Sequence, residues 1–268
     1  MVKKSSPRPH FENNPFFITS GGITALAHNA QGVFVFLIIL SIIGLFPNNS
    51  PDPTEKDFDN FVTTLQSWTT SDWAVVGGAV LIIGLAIAMI SALFGGVSSY
   101  TSAQLARGHA VNLQTAFRVS FENLWAYLWL QVIIVSKVVL WGLLFIVPGI
   151  IMAVRYSLAG VAFFDERKQL RGNAAVQESV RMTKNGWITT SAATTLFNVL
   201  TLGTVSSVIS TGANAMLYKQ FEQSGDKKPA AHWLSWLTLM LPLSLLLTFG
   251  LFVIIGMFVS GILVFPTN

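Results

Sequence analysis

The stretch that decides the fold is LWAYLWLQVIIVSKVVLWGLLFIVPGIIMAVRYSLAGVAFF, residues 124–164. It contains two apolar runs, Leu124 to Ile146 and Ile150 to Phe164, each read as long enough to cross a bilayer. Between them Pro148 removes a backbone donor and Gly149 tolerates positive φ, so the pair is expected to reverse the chain. Arg155 lies inside the second arm, and Asp165-Glu166 closes it. The spacing therefore predicts a helical hairpin with almost no loop.

Composition puts this hairpin in a membrane. Hydrophobic residues make up 52% of the 268, charged residues 10%, and the mean hydropathy is +0.60. Soluble domains carry about 25% charged residues, so this chain has too little polar surface to face water on every side. The period-2 alternation of a membrane β-barrel is absent. The expected class is all-α, a polytopic transmembrane helical bundle. The net charge of +4 sits in short segments flanking the apolar runs, where it orients spans. Nucleic acid is therefore not an expected partner. With no cysteine, disulfides and thiolate metal sites are excluded.

Outward from the hairpin, residues 1–22 read as a flexible cytoplasmic tail and 23–268 as one transmembrane helical domain. Ile23 to Phe46 is expected to be an uncleaved first span, its N-terminus inside. The acidic loop Pro47 to Asp72 is expected outside, with Phe58, Phe61, Val62, Leu65 and Trp68 at the spacing of a short interfacial helix. Asn48-Asn49-Ser50 has the form of a glycosylation sequon. Trp73 to Val97 is the second span, and its Gly84, Ala88, Ala92 and Gly96 make a smooth face for another helix. That face suits packing within the chain or an oligomer seam. Two cytoplasmic amphipathic helices follow a common plan. One, capped by Asn112, carries an apolar stripe of Leu113, Ala116, Phe117, Phe121 and Leu124; the other carries a weaker one of Val176, Val180, Thr183 and Trp187. Ala116-Phe117 with Ser120 lines up with Ala175-Val176 and Ser179. Trp187 to Tyr218 and His232 to Val264 complete six spans if each is one helix. A break near Gly203 would give seven.

At this point the residues resemble a known family. Pro148-Gly149-Ile150, Arg155-Tyr156-Ser157, Asp165-Glu166, then Ala175, Ser179 and Trp187, look like the membrane domain fused to some bacterial glycerophosphoryl diester phosphodiesterases. Stand-alone, uncharacterised six-span membrane proteins share the pattern. The family's tyrosine followed by basic residues resembles Tyr218-Lys219, well before the C-terminal Phe265-Pro266-Thr267-Asn268. The resemblance implies a bacterial plasma-membrane location. It does not bring hydrolysis with it, because in the fused proteins that belongs to a soluble barrel of about 250 residues, and no soluble segment here approaches that length.

The chemistry-bearing residues are cationic. No acidic residue falls mid-span, which argues against a proton relay or an intramembrane carboxylate enzyme. His10, His28, His109 and His232 have no ligand spacing, so no metal, cofactor or catalytic group is expected. Lys137 lies near the middle of the third span and Arg155 about one and a half turns into the fourth. Each needs a partner, since a lone charge at a helix centre costs about 2.5–3.5 kcal/mol. Arg155 can bond the carbonyls that end the third helix at Ile146-Val147, and Lys137 can snorkel. Alternatively both line a recess for a lipid phosphate or anionic solute, with Gln131, Ser136, Asn198 and Asn214 as further donors. The cytoplasmic basic belt would attract anionic headgroups in either case. The expected function is a non-enzymatic membrane module in lipid or envelope processes. The alternative is a small transporter or exporter of an anionic or amphiphilic solute.

Overall fold

The structure, a computed structural model, describes residues 12–43, 55–201, 204–225 and 230–238, with Met240, Thr248 and Phe252. The sequon at Asn48 and most of His232 to Val264 lie outside the described residues. Those described form helices and no strand. In chain order these are α1 (Pro15–Asn29), α2 (Gln31–Ile43), α3 (Glu55–Ser67), α4 (Thr70–Ala106), α5 (Leu113–Glu122) and α6 (Leu124–Leu144). They continue with α7 (Ile146–Tyr156), α8 (Ala159–Phe163), α9 (Asn173–Thr183), α10 (Trp187–Leu200) and α11 (Ser206–Ser224).

The hairpin over residues 124–164 is present. Tyr127 on α6 meets Phe163 and Phe164, and a Cβ at Gly149 would fall 2.9 Å from the Gly142 Cα, so the two arms run in opposite directions. The reversal itself sits at Phe145, three residues before Pro148. Phe145 is extended (φ −158°, ψ 136°), and its carbonyl accepts from the Gly149 N–H. Pro148 is the third residue of α7, where its missing N–H would have had no intrahelical partner. Gly149 is needed for closeness rather than for the turn, because a side chain there would strike the backbone of α6.

α4 is two helices in one. From Trp73 to Ser91 it is mostly exposed, with Val75, Leu81 and Ile82 each above 70%. From Ala92 to Ala106 it is largely buried against α5, α6, α8 and α11. The bare length is roughly 28 Å at about 1.5 Å per residue, close to the thickness of a hydrocarbon core. The tip of the α6–α7 hairpin is bare as well, with Leu143 at 79% and Phe145 at 71%. Apolar surface of this extent calls for a non-aqueous covering. Among the described residues α4 and α6 are long and apolar enough to cross a membrane, and α1 with α2 makes a third candidate if that bent pair is one span, fewer than the six expected. The hairpin's second arm falls short because it is broken into α7 and α8.

Three expectations change. The first span is not straight: α1 and α2 meet at Ala30 with a bend of 116°. The Asn29 carbonyl left open by the bend accepts from the Val111 N–H at 2.8 Å, so the break is held by the α4–α5 loop. Nor does the tail reach residue 22. Asn14 caps α1 through the Phe16 N–H, and Ile18 and Thr19 are fully buried. Finally, Trp187 to Tyr218 is not one helix, since α10 ends at Leu200 and α11 starts at Ser206.

The packed end is joined by small and hydroxyl residues. A Cβ at Gly22 would fall 2.3 Å from the Gly212 backbone, and one at Gly212 would fall 2.6 Å from that of Gly22, so α1 and α11 touch backbone to backbone. Thr19 donates to the Ala193 carbonyl on α10, and Ser102 donates to the Thr211 carbonyl on α11 at 2.8 Å. Both amphipathic helices form, but Phe121 of the first expected stripe is 69% exposed, so its buried face is narrower than the stripe. Asn112 caps α5 by accepting from the Gln114 N–H, and both helices bury their Ala and Ser: Ala116 with Ser120, Ala175 with Ser179.

Candidate functional site

The charged residues gather at the packed end, where α4, α5, α8 and α11 terminate or begin. Asp165, in the turn after α8, is the centre of this cluster and its side chain has no exposure. Arg107, the residue that ends α4, pairs with Oδ1. The Tyr218 hydroxyl on α11 donates to Oδ2 at 2.8 Å, across 53 residues of sequence. The Arg167 N–H donates to Oδ1 at 3.0 Å, and the Asp165 backbone carbonyl accepts from the N–H groups of Lys168 and Gln169. One carboxylate thus ties three elements and shapes its own loop. A buried charge is tolerable when it is paired and its remaining lone pairs are used, as here.

Around this centre the pairing continues outward. Gln104 donates to Glu166 at 3.0 Å, and His109 bonds the Gln104 carbonyl side. Lys168 bridges Glu178 and Glu222, while Arg181 holds both oxygens of Glu178 at 2.8 Å. Hydrogen bonds from Arg181, with Lys168 adding and burial opposing, hold the Glu178 carboxyl down to about 2. A pocket of about 330 Å³ opens beside Asp165, and Tyr100, Phe163, Phe164, Glu166 and Arg171 are among the residues lining it.

The site expected from sequence is dispersed. Lys137 donates to Asn173 Oδ1 at 2.5 Å, at the start of α9. Arg155 reaches Val180 O at 3.4 Å, near the end of α9, instead of the carbonyls of Ile146 and Val147. The physical logic survives on a different helix, because Val180 is among the last four carbonyls of α9, shared there only with the Thr183 hydroxyl at 3.4 Å. The Arg155 carbonyl in turn accepts from Ser179 at 2.7 Å. The two cations meet α9 about two turns apart. Gln131 and Ser136 instead line a mostly apolar pocket of about 470 Å³ between α4 and α6. Asn198 and Asn214 lie on α10 and α11, and the Oδ1 of each is buried without a partner among the described residues.

In the sequence Asp165-Glu166 stand at the close of the hairpin's second arm and, with Tyr218, in the resemblance, and nothing local joins them to Arg107. Their convergence had one available signal, an acidic pair at the end of an apolar arm needing a cation. Comparison with family models, curated proteins and solved structures finds no match for this chain.

Proposed function

We propose that the chain is a non-enzymatic helical membrane module whose basic end engages the anionic headgroups of one leaflet. The observation that carries this is the junction on α4, where about one bilayer thickness of bare apolar helix gives way to a packed end rimmed by charge. Arg118, Arg167 and Arg181 stand on that rim, with side chains 59% to 70% exposed, and Phe121, Trp125 and Trp129 are exposed beside them. Exposed aromatics next to cations are the composition of a membrane–water interface. Placing the rim inside follows the positive-inside bias, and a bacterial plasma membrane follows the resemblance to the phosphodiesterase-associated domain. The described helices supply two or three candidate crossings, fewer than six, and the run from His232 to Val264 alone would not make up the difference. The separate neighbours of Lys137, Arg155 and Gln131 favour this module over the transport alternative.

The reading is tested by native mass spectrometry of the full chain released from nanodiscs of mixed neutral and anionic lipid. Anionic lipid should be retained several-fold over its share, at about 1 kcal/mol per rim cation. Replacing Arg118, Arg167 and Arg181 with Gln should bring retention close to the bulk ratio. Equal retention before and after replacement would contradict the proposal.

A further inference from the structure

The pocket beside Asp165 holds two opposite charges that do not neutralise each other. Arg171 is fixed on one wall, where Nη1 donates to Asn123 Oδ1 at 3.0 Å and the guanidinium carbon lies 4.5 Å from the Phe163 ring centre. No ion pair among the described residues includes Arg171. Glu166 stands on another wall, 69% exposed, with Gln104 on one oxygen and Arg107 no nearer than 3.9 Å. Asp165 is already occupied by Arg107, Tyr218 and its own loop. Tyr100 and Phe164 lie between them, edge to face at 5.9 Å. The volume of about 330 Å³ is at the small end of ligand sites.

A cation outside every ion pair of the described residues and a carboxylate held only loosely by Arg107, on one aromatic-lined pocket, fit a ligand that is itself a short dipole. A guanidinium already stacked and tethered offers its remaining donors to a phosphate in fixed geometry. A carboxylate beside aromatic rings takes an ammonium. The surroundings indicate where such a ligand comes from. Asn123 directly precedes α6, whose exposed Trp125 and Trp129 lie at its start, and a side chain at Gly172 would meet Trp129 and Ile133. The pocket therefore opens at the depth where aromatic rings mark the headgroup layer. We propose that it holds the phosphoethanolamine headgroup of a membrane lipid, with Arg171 on the phosphate and Glu166 on the ammonium. This rests on the lipid-binding reading and adds selectivity to it, since rim cations sort lipids by net charge and this pocket sorts them by headgroup dipole.

The test uses the full chain in nanodiscs of equal phosphatidylethanolamine, phosphatidylcholine and phosphatidylglycerol, with retained lipid read by native mass spectrometry at high salt. High salt suppresses the rim contribution. The wild-type chain should retain phosphatidylethanolamine about tenfold over either competitor, the size expected of one charge-assisted contact. Glu166→Gln should erase that preference while lipid is still bound, and Arg171→Gln should lose the tightly held lipid altogether. Both side chains are at the surface, so unchanged thermal unfolding of the variants serves as the folding control. Indifference of the wild-type chain to headgroup would overturn the pocket while leaving low-salt anionic retention intact. Binding of soluble phosphoethanolamine that depends on Glu166, with no lipid retained, would overturn the lipid source.

Discussion

The two halves of α4 carry the same small-residue spacing and meet different surroundings. Ala92 and Gly96 lie in the packed half, where a Cβ at Gly96 would come within 3.1 Å of Ser120 and 3.7 Å of Phe164. Gly84 lies in the bare half with nothing within 4 Å of the same construction. A stripe of Gly and Ala therefore permits close approach without determining who approaches. What distinguishes the halves is polar chemistry around them. The packed half is surrounded by Ser, Thr and ion pairs that need partners, and the bare half by aliphatic side chains that lipid can cover.

The largest expected break of this contrast is at Asp165. Asp165→Asn leaves the buried Arg107 with only the exposed Glu166, 3.9 Å away, as counter-charge and should destabilise by about 3 kcal/mol, measured by thermal unfolding in detergent. Replacing both residues with apolar side chains should cost less than the single change. A charge in the bare half tests the other side: Leu81→Arg should raise the cost of insertion by about 2.5–3.5 kcal/mol, read by the inserted fraction in a translocation assay. In water the same change at a 74% exposed site would cost almost nothing.

A matched pair sharpens the comparison at smaller scale. Gly96→Ala should cost about 1–3 kcal/mol through overpacking against Ser120. Gly84→Ala should be neutral or raise stability slightly, through helix propensity. The smallest effect is one of pH. Glu178 titrates near 2 when folded against an ordinary value of 4.5, so its stabilisation is fully present above 4.5 and is lost as pH falls toward 2. Because the group is partly solvated, the contribution should stay below about 1 kcal/mol. The difference in unfolding temperature between the wild-type chain and Glu178→Gln should shrink between pH 6 and pH 3.

The helical class, the hairpin and both amphipathic helices were legible because apolar run length and 3.6-residue periodicity are local signals. Asn112 as a cap was legible for the same reason. The 116° bend at Ala30 was not: His28, Asn29, Gln31 and Gly32 do interrupt the apolar run there, but they read equally as an interfacial polar cluster, and the Val111 hydrogen bond that holds the bend comes from far along the chain. Pro148-Gly149 was placed at the turn because both residues favour turns, yet Pro is equally at home in a first helical turn. The partners of Lys137 and Arg155 lie on α9, and those of Asp165 on α4 and α11. Contacts of that range leave no periodic trace in a single sequence.

The central claim is that the bare half of α4 and the tip of the α6–α7 hairpin lie in hydrocarbon. The chain has no cysteine, so single nitroxide labels can be introduced at Leu81, at Leu143 and, as a reference, at Glu166. In bilayers the first two labels should relax strongly with oxygen and weakly with a water-soluble nickel chelate, and the third should show the reverse. Strong relaxation by the chelate at Leu81 and Leu143 would place those surfaces in water and contradict the account.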